Sequence, residues 1–255
     1  EFLAVKPEIV NTNSEPFHFE GQIEFRNVSY SYPEANQPSI KNLSFVLKSG
    51  DTFGIVGRTG SGKSTILKLL TRQIDPTEGE ILIDGKPLKE INLDAFRAEM
   101  GIVPQDVFLF SDTIANNLRF GALEEVDQAR LEEVTKKAYV YHNIDEFPNK
   151  FETLLGERGV NLSGGQKQRL SIARALIRNP KLLILDDCLS AVDTKTEEII
   201  LENLRAEAIK TSVVVSHRIS SIRNATYIIN IDHGSKTEEG THDELIALNG
   251  AYAEM

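Results

Sequence analysis

The chain has 255 residues, 40 % of them hydrophobic and 26 % charged, which excludes disordered and fibrous classes and leaves room for one large domain or two small ones. Its formal charge of −10 runs against a broad electrostatic grip on nucleic acid, so no nucleic-acid partner is expected. The single cysteine, Cys188, forms no internal disulfide, and no stretch reaches the roughly 18 apolar residues of a membrane-spanning helix.

Residues 1–20 carry Pro7, Asn11 to Ser14 and Pro16 without periodicity and are expected to form a linker or extended arm. Without an initiating Met, the opening Glu1-Phe-Leu-Ala-Val5 looks like a cut inside a longer chain. From Gln22, Ile-Glu-Phe-Arg-Asn-Val alternates apolar and polar residues, the mark of a half-buried strand. Leu43–Leu47 repeats the pattern and ends at Gly50-Asp51, so the two segments suggest a small antiparallel layer. Thr52–Val56 is a short apolar strand, followed by a Gly-rich turn and a helix over about Lys63 to Gln73.

That turn reads Gly57-Arg58-Thr59-Gly60-Ser61-Gly62-Lys63-Ser64, with Thr65 next, and matches G-x-x-x-x-G-K-[ST] without a mismatch. Its glycines let backbone N–H groups turn inward as a nest for anionic oxygens, and the following helix aims its positive end at the same place. Lys63 would set a point charge on the β- and γ-phosphates of ATP, while the Ser64 hydroxyl would ligate Mg2+. A Gly-rich turn before a helix can be merely structural; the apolar strand in front and the helix behind favour the phosphate reading.

The region from about 112 to 178 is mostly helical in pattern, with Leu123, Val126, Leu131 and Val134 on one side of the charged stretch Glu124–Lys137. It contains Asn161-Leu-Ser163-Gly164-Gly165-Gln166-Lys-Gln-Arg169 and ends at Pro180. Strand and helix then alternate over Leu182–Leu185, Thr194–Ala208, Ser212–Val215, His217–Arg223 and Tyr227–Ile231, which argues for a parallel sheet with helices on its faces. The run Leu182–Leu185 ends in Asp186-Asp187, carboxylates at the edge where parallel sheets bind ligands. Asp186 would hold Mg2+ through water. The expected fold class is α/β: a P-loop NTPase core of the RecA-like kind, with an N-terminal antiparallel β layer and an inserted α-helical subdomain.

Asn161–Arg169 resembles the LSGGQ signature of the ATP-binding-cassette (ABC) ATPases, and it lies, as in that family, just upstream of the strand that ends in Asp186. The resemblance covers the chain from about residue 21 to the end. It implies a cassette over 21–255 with a helical lobe over about 107–179, two copies closing head to tail around two ATP molecules. In that arrangement Ser163, Gly164, Gly165 and Gln166 press on the γ-phosphate held by the partner, and Asp193, in Ser190-Ala-Val-Asp193, crosses to the opposite site as the D-loop. Tyr32, in Tyr30-Ser-Tyr-Pro33, resembles the aromatic that stacks on adenine, with Tyr30 the other candidate. Gln105, in Val103-Pro-Gln-Asp106, resembles the Q-loop residue that meets Mg2+ and couples to the transport part. His217, in Val215-Ser-His-Arg218, looks like the switch histidine on the γ-phosphate. His18, His142, His233 and His242 match no motif.

Gly156-Glu-Arg-Gly159 resembles the X-loop of ABC exporters, and Lys6-Pro7-Glu-Ile9 resembles the join between an exporter's last membrane helix and its nucleotide domain. The implied protein is an exporter whose transmembrane part lies outside this chain, acting at the cytoplasmic face of the cell membrane. Importer subunits usually start near their first strand. Chromosome and DNA-repair members insert long coiled coils for which the short middle has no room, and translation factors carry tandem cassettes. One position departs from the family. The residue after the Mg2+ aspartate is normally Glu, the base that aligns the attacking water; here it is Asp187, one methylene shorter. A similar Asp marks the weakly hydrolysing half of many two-component bacterial exporters, so a heterodimeric partner carrying Glu is expected, with a slow homodimer as the alternative. Cys188 reads as a small apolar residue at a strand end, not a redox centre.

Overall fold

A computed structural model describes residues 9–33 and 35–255; Lys6, Pro7 and Glu8 of the leading segment lie outside the described residues. Strands β1 (Ile23–Tyr30) and β2 (Ile40–Leu47) pair antiparallel, Ile23 opposite Leu47 and Tyr30 opposite Ile40. β3 (Thr52–Val56) runs through the Gly-rich turn into α1 (Lys63–Leu70). β4 (Glu78–Ile83) returns to pair with β1 and with the two-residue β5 (Lys86–Pro87), giving a four-stranded sheet in the order β2-β1-β4-β5. After α2 (Leu93–Ala98) and β6 (Met100–Val103), a helical lobe holds α3 (Ile114–Arg119), α4 (Gln128–Lys137), α5 (Tyr141–Asp145) and α6 (Gly164–Leu176). The chain then alternates through β7 (Leu182–Asp186), α7 (Thr194–Arg205), β8 (Thr211–Val215), α8 (Ile219–Ile222) and β9 (Tyr227–Asp232), and ends in β10 (Ser235–Gly240) and α9 (His242–Leu248).

The second sheet has the order β10-β9-β3-β8-β7-β6, parallel except for the antiparallel edge strand β10. Its central strands β3, β7, β8 and β9 are mostly apolar on both faces because both faces are covered. Along β7, Leu183 and Leu185 enter one core together with Val56, Val103, Val214 and the helical lobe. Leu182 and Ile184 enter the other, with Phe53, Ile55, Val213, Val215 and the antiparallel sheet. Burial of each such side chain contributes about 1.5–3 kcal/mol before conformational entropy is subtracted. Gly54 in β3 lets α8 and β9 close over the sheet: a Cβ there would sit 3.1 Å from carbons of Ile222 and Ile228.

Several boundaries differ from the sequence expectation, each for a local reason. Helix α1 stops at Leu70, where the Thr71 hydroxyl bonds back to the Leu67 carbonyl and Arg72 takes a φ of 48°. Helix α4 starts only at Gln128, capped by Asp127, so Leu131 and Val134 are buried while Leu123 is exposed outside the helix. Helix α7 ends at Arg205 and α8 shrinks to four residues.

The leading arm is moored to α2. Asn11 accepts from the Leu93 N–H and donates to Asn92 and Asp94, and Phe17 and Phe19 stand edge-on to Phe96. Glu99 gathers the Phe19 N–H at 2.7 Å, His18 Nδ1 at 3.2 Å and Lys181 Nζ at 3.1 Å. Burial pushes its carboxyl up, but the Phe19 amide, His18 and Lys181 outweigh this and hold it below the ordinary value. A depressed carboxyl contributes stability above its unfolded pKa of about 4.3, which is lost as pH falls through the lower folded value. Glu99→Gln is therefore expected to lower stability by about 1 kcal/mol at neutral pH. Urea midpoints of variant and parent should converge in acid; a gap that persists there would mean the charge is not what holds the arm.

Candidate functional site

Four loops leave the C-terminal edge of the parallel strands side by side, after β3, β6, β7 and β8. Main-chain bonds stitch three of them together: Asp187 N–H donates to the Val215 carbonyl at 2.8 Å and Ser216 N–H to the Ile55 carbonyl at 3.1 Å. The phosphate loop is fixed from the β9 side by the Gly234 N–H, which donates to the Ser61 carbonyl at 2.9 Å. Gly57, at φ 152°, can only be glycine, because a Cβ would stand 2.1 Å from the Ile231 carbonyl oxygen.

Within the loop, Arg58, Thr59 and Gly60 are exposed and Ser61 is buried. Lys63 Nζ arches over the turn and donates to the carbonyls of Gly57 at 2.7 Å and Arg58 at 2.9 Å. Gly62 precedes α1 in the left-handed conformation and offers no side-chain cap, so the first N–H groups of the helix, at Lys63, Ser64 and Thr65, have no intrahelical acceptor. Ser64 is exposed, and Thr65 is buried with Oγ1 3.5 Å from the Tyr32 hydroxyl. The cleft over this loop holds about 320 Å³ between Gln37, Ser39, Lys63, Ser64, His233 and Gly234. A triphosphate fits these residues: free helix N–H groups, a lysine with one proton to spare, and the buried Ser61 hydroxyl, which has no hydrogen-bond partner among the described residues. The exposed Ser64 hydroxyl and Asp186 supply the oxygen donors that Mg2+ prefers.

Asp186 closes β7 opposite Val215. Burial and the neighbouring charge of Asp187 raise its carboxyl pKa, with Lys63 opposing; burial likewise lowers that of Lys63, against the pull of Asp187 and Asp186. Each group thus sits where its charge needs a partner. Asp187 takes a φ of 46°, a left-handed position that Asp tolerates better than most residues, and both its oxygens meet His217 Nδ1, at 2.8 and 2.9 Å. Gln105 is exposed two residues beyond the end of β6. Tyr30 is buried in the core and Tyr32 packs edge-on against it, half-buried, with Lys68 Nζ 5.6 Å from its ring centre. Of the two tyrosines, Tyr32 has the accessible ring.

The remaining predicted residues form a second group. Ser163 caps α6 by a reciprocal pair, Gln166 N–H to Ser163 Oγ at 3.2 Å and Ser163 N–H to Gln166 Oε1 at 2.8 Å. Ser163 and Gly164 are exposed, and Gly165 presses on the Ala191 carbonyl, where a Cβ would come to 2.9 Å. Asp193 caps α7 through the Thr196 N–H. No hydrogen bond among the described residues joins this group to the phosphate loop. Gln37, Ser39, His233 and Gly234 line the phosphate cleft although no sequence motif marks them; only the fold brings the turn before β10 there. Cys188 is buried and its thiol pKa is pushed far up by burial, in keeping with an inert apolar role.

On the other flank, between core and helical lobe, lies a larger cleft of about 580 Å³ bearing Phe108, Phe110, Phe120, Arg97, Arg174 and Arg178. Phe108, Phe110 and Phe120 are exposed and touch ring to ring, an apolar patch just past Gln105 in the chain.

The family model described as ABC transporter matches residues 40–190. The chain is 44 % identical over 239 residues to the ATP-dependent lipid A-core flippase of Pasteurella multocida, covering 92 % of this chain and 41 % of that protein. It is 44 % identical over 254 residues to ATP-binding cassette sub-family B member 5 of Homo sapiens, covering 97 % of this chain and 20 % of that one. A solved structure of a bacterial Atm1-family ABC exporter with ATP bound superposes with a TM-score of 0.93 at 38 % identity, over 99 % of this chain and 45 % of the other. The chain therefore spans less than half the length of these relatives.

Proposed function

The chain belongs to the ABC transporter family, and from that premise we propose that it binds and hydrolyses ATP as the cytoplasmic cassette of an exporter, closing head to tail on a second cassette. One observation carries this reading: two helix N-termini in the same chain are equipped for anionic oxygen, and no hydrogen bond among the described residues joins the groups that carry them. Gly62 opens α1 beneath Lys63, and Ser163 opens α6 on an exposed face. A single molecule uses only the first on its own nucleotide, so the second serves the nucleotide of another.

In this scheme the phosphate loop from Gly57 to Thr65 wraps the triphosphate, Lys63 neutralises charge between β- and γ-phosphate, and Tyr32 offers its ring to adenine. Ser64, Gln105 and Asp186 would hold Mg2+, which when bound screens the phosphate oxygens from the attacking water. Asp187 would orient that water and His217 would contact the γ-phosphate, so the bond between them is exchanged for bonds to substrate. Ser163, Gly164, Gly165, Gln166 and Asp193 would complete the partner's site. The transmembrane part, outside this chain, would dock on the Phe108–Phe110–Phe120 cleft, where motion of Gln105 reaches it directly.

Asp187 favours the weakly hydrolysing half of a heterodimer, with a partner that carries Glu. Light scattering tests the core of the proposal: ATP–Mg2+ should draw this chain into a dimer with the partner cassette, and Ser163→Arg should prevent it. A chain that stays monomeric with saturating ATP and every cassette offered would leave only a solitary nucleotide binder. Dimerisation of this chain with itself, at low turnover, would decide for the homodimer.

A further inference from the structure

The loops after β7 and β8 carry, besides Asp187 and His217, a set of part-buried polar contacts with no part in the chemistry above. Arg218, next to His217, donates to the Ser190 carbonyl at 2.6 Å and to the Val192 carbonyl at 3.3 Å. From the other side the buried Gln168 of α6 donates to Ser190 Oγ at 3.1 Å and accepts from the Ala191 N–H at 2.9 Å. The segment Ser190–Val192, which leads to Asp193, is thus gripped by one side chain from the His217 loop and one from the helix that Ser163 opens. Its own carbonyls belong to no sheet or helix ladder, so these two grips set where it lies.

The arginine is itself anchored. Glu197 of α7 is 2 % exposed; its Oε1 accepts from Ser221 Oγ, and its Oε2 has no hydrogen-bond partner among the described residues, with Arg218 Nη1 3.8 Å away. Ser216 Oγ accepts the Arg218 N–H at 3.0 Å and bonds Ser221 Oγ at 3.2 Å. A planar guanidinium can reach two carbonyls and a carboxylate at once in one fixed orientation, which an ammonium cannot. The buried acid keeps the arginine in place, and the arginine keeps the loop in place.

We infer that Arg218 is a positioning residue that ties the loop of His217 to Ser190–Val192 and, through Gln168, to the N-terminus of α6, so that the phosphate-contacting and partner-facing groups of this chain move as one body. A shift of His217 on meeting the γ-phosphate then moves Asp193 and Ser163 with it. The inference rests on the ATPase reading above and adds the element that links its two halves.

Arg218→Lys tests it in the full-length assembly, because lysine keeps a cation beside Glu197 while giving up the two-carbonyl grip. Nucleotide affinity of this chain, read with a fluorescent ATP analogue, and the melting temperature should match the parent. kcat of the assembly should fall about 10-fold at unchanged KM for ATP. Gln168→Ala should produce the same loss, and the double variant little more, since both cut one path. Full kcat in Arg218→Lys overturns the inference, as does a parallel loss of affinity and melting temperature, or losses that multiply in the double variant. A parent chain that binds no ATP at all would instead sink the ATPase reading, and the inference with it.

Discussion

Lys63→Ala is expected to weaken ATP binding by at least about 100-fold. Two losses combine. The ammonium uses two protons on loop carbonyls and keeps a third to meet a phosphate oxygen, and charge-assisted bonds of that kind are about twice as strong as neutral ones. It is also a brace for the loop itself, since its bonds to Gly57 and Arg58 hold the turn in the curvature that gathers the N–H groups. The fold does not depend on it: the cores on either side of the sheet are apolar and the loop is stitched independently by Gly234. Titration calorimetry with ATP–Mg2+ should show binding lost while the thermal unfolding curve stays put. Binding retained within a few-fold would mean that the loop is only a strand-to-helix turn.

Asp187→Glu should act in the opposite direction and raise ATP turnover by about 10- to 100-fold. The aspartate carboxylate is drawn onto His217 by two short contacts, and it ends one methylene nearer the backbone than the base of a fully active cassette. Glutamate would carry the carboxylate roughly 1 Å or more further toward the nucleotide, a displacement large enough to matter for an attacking water. The left-handed backbone at Asp187 suits aspartate better than glutamate, so the gain in rate is expected to come with a small loss of stability. ATP affinity should not change, because the phosphate loop is untouched. Single-turnover hydrolysis measures the step directly; a variant no faster than the parent would show that the length of this side chain does not limit the rate.

Much of this arrangement is legible in the order of the amino acids alone. The phosphate loop, the Asp186 strand end and the signature segment announce themselves because each needs particular residues at fixed spacing, and their strands lie where short apolar runs fall. What stays hidden is whatever depends on distant parts of the chain. β4, β10 and α2 do not announce themselves, since Glu78-Gly-Glu-Ile-Leu-Ile lacks an apolar alternation and Ser235–Gly240 is almost entirely polar; each of the two strands forms only by pairing with β1 or β9. Leu123 looks like a helix-face residue until Asp127 sets the start of α4 beyond it. Nothing in the sequence neighbours of Arg218 predicts Ser190, Val192 and Glu197 around it. Tyr32 is preferred over Tyr30 by resemblance alone, and the burial of Tyr30 on the inward face of β1 supplies the physical reason.

The polar strand β10 also bears on how such a molecule survives its working life. Under the proposal above, the chain meets a second cassette and leaves it many times. An open sheet border would offer a rival and irreversible way to associate, strand upon strand. Here one border of the six-stranded sheet is β10, with Lys236, Glu238 and Glu239 along it, and the other is the four-residue β6, too short to template growth. Strand-upon-strand growth through the borders is thereby discouraged, which leaves the proposed nucleotide-dependent meeting without that competitor.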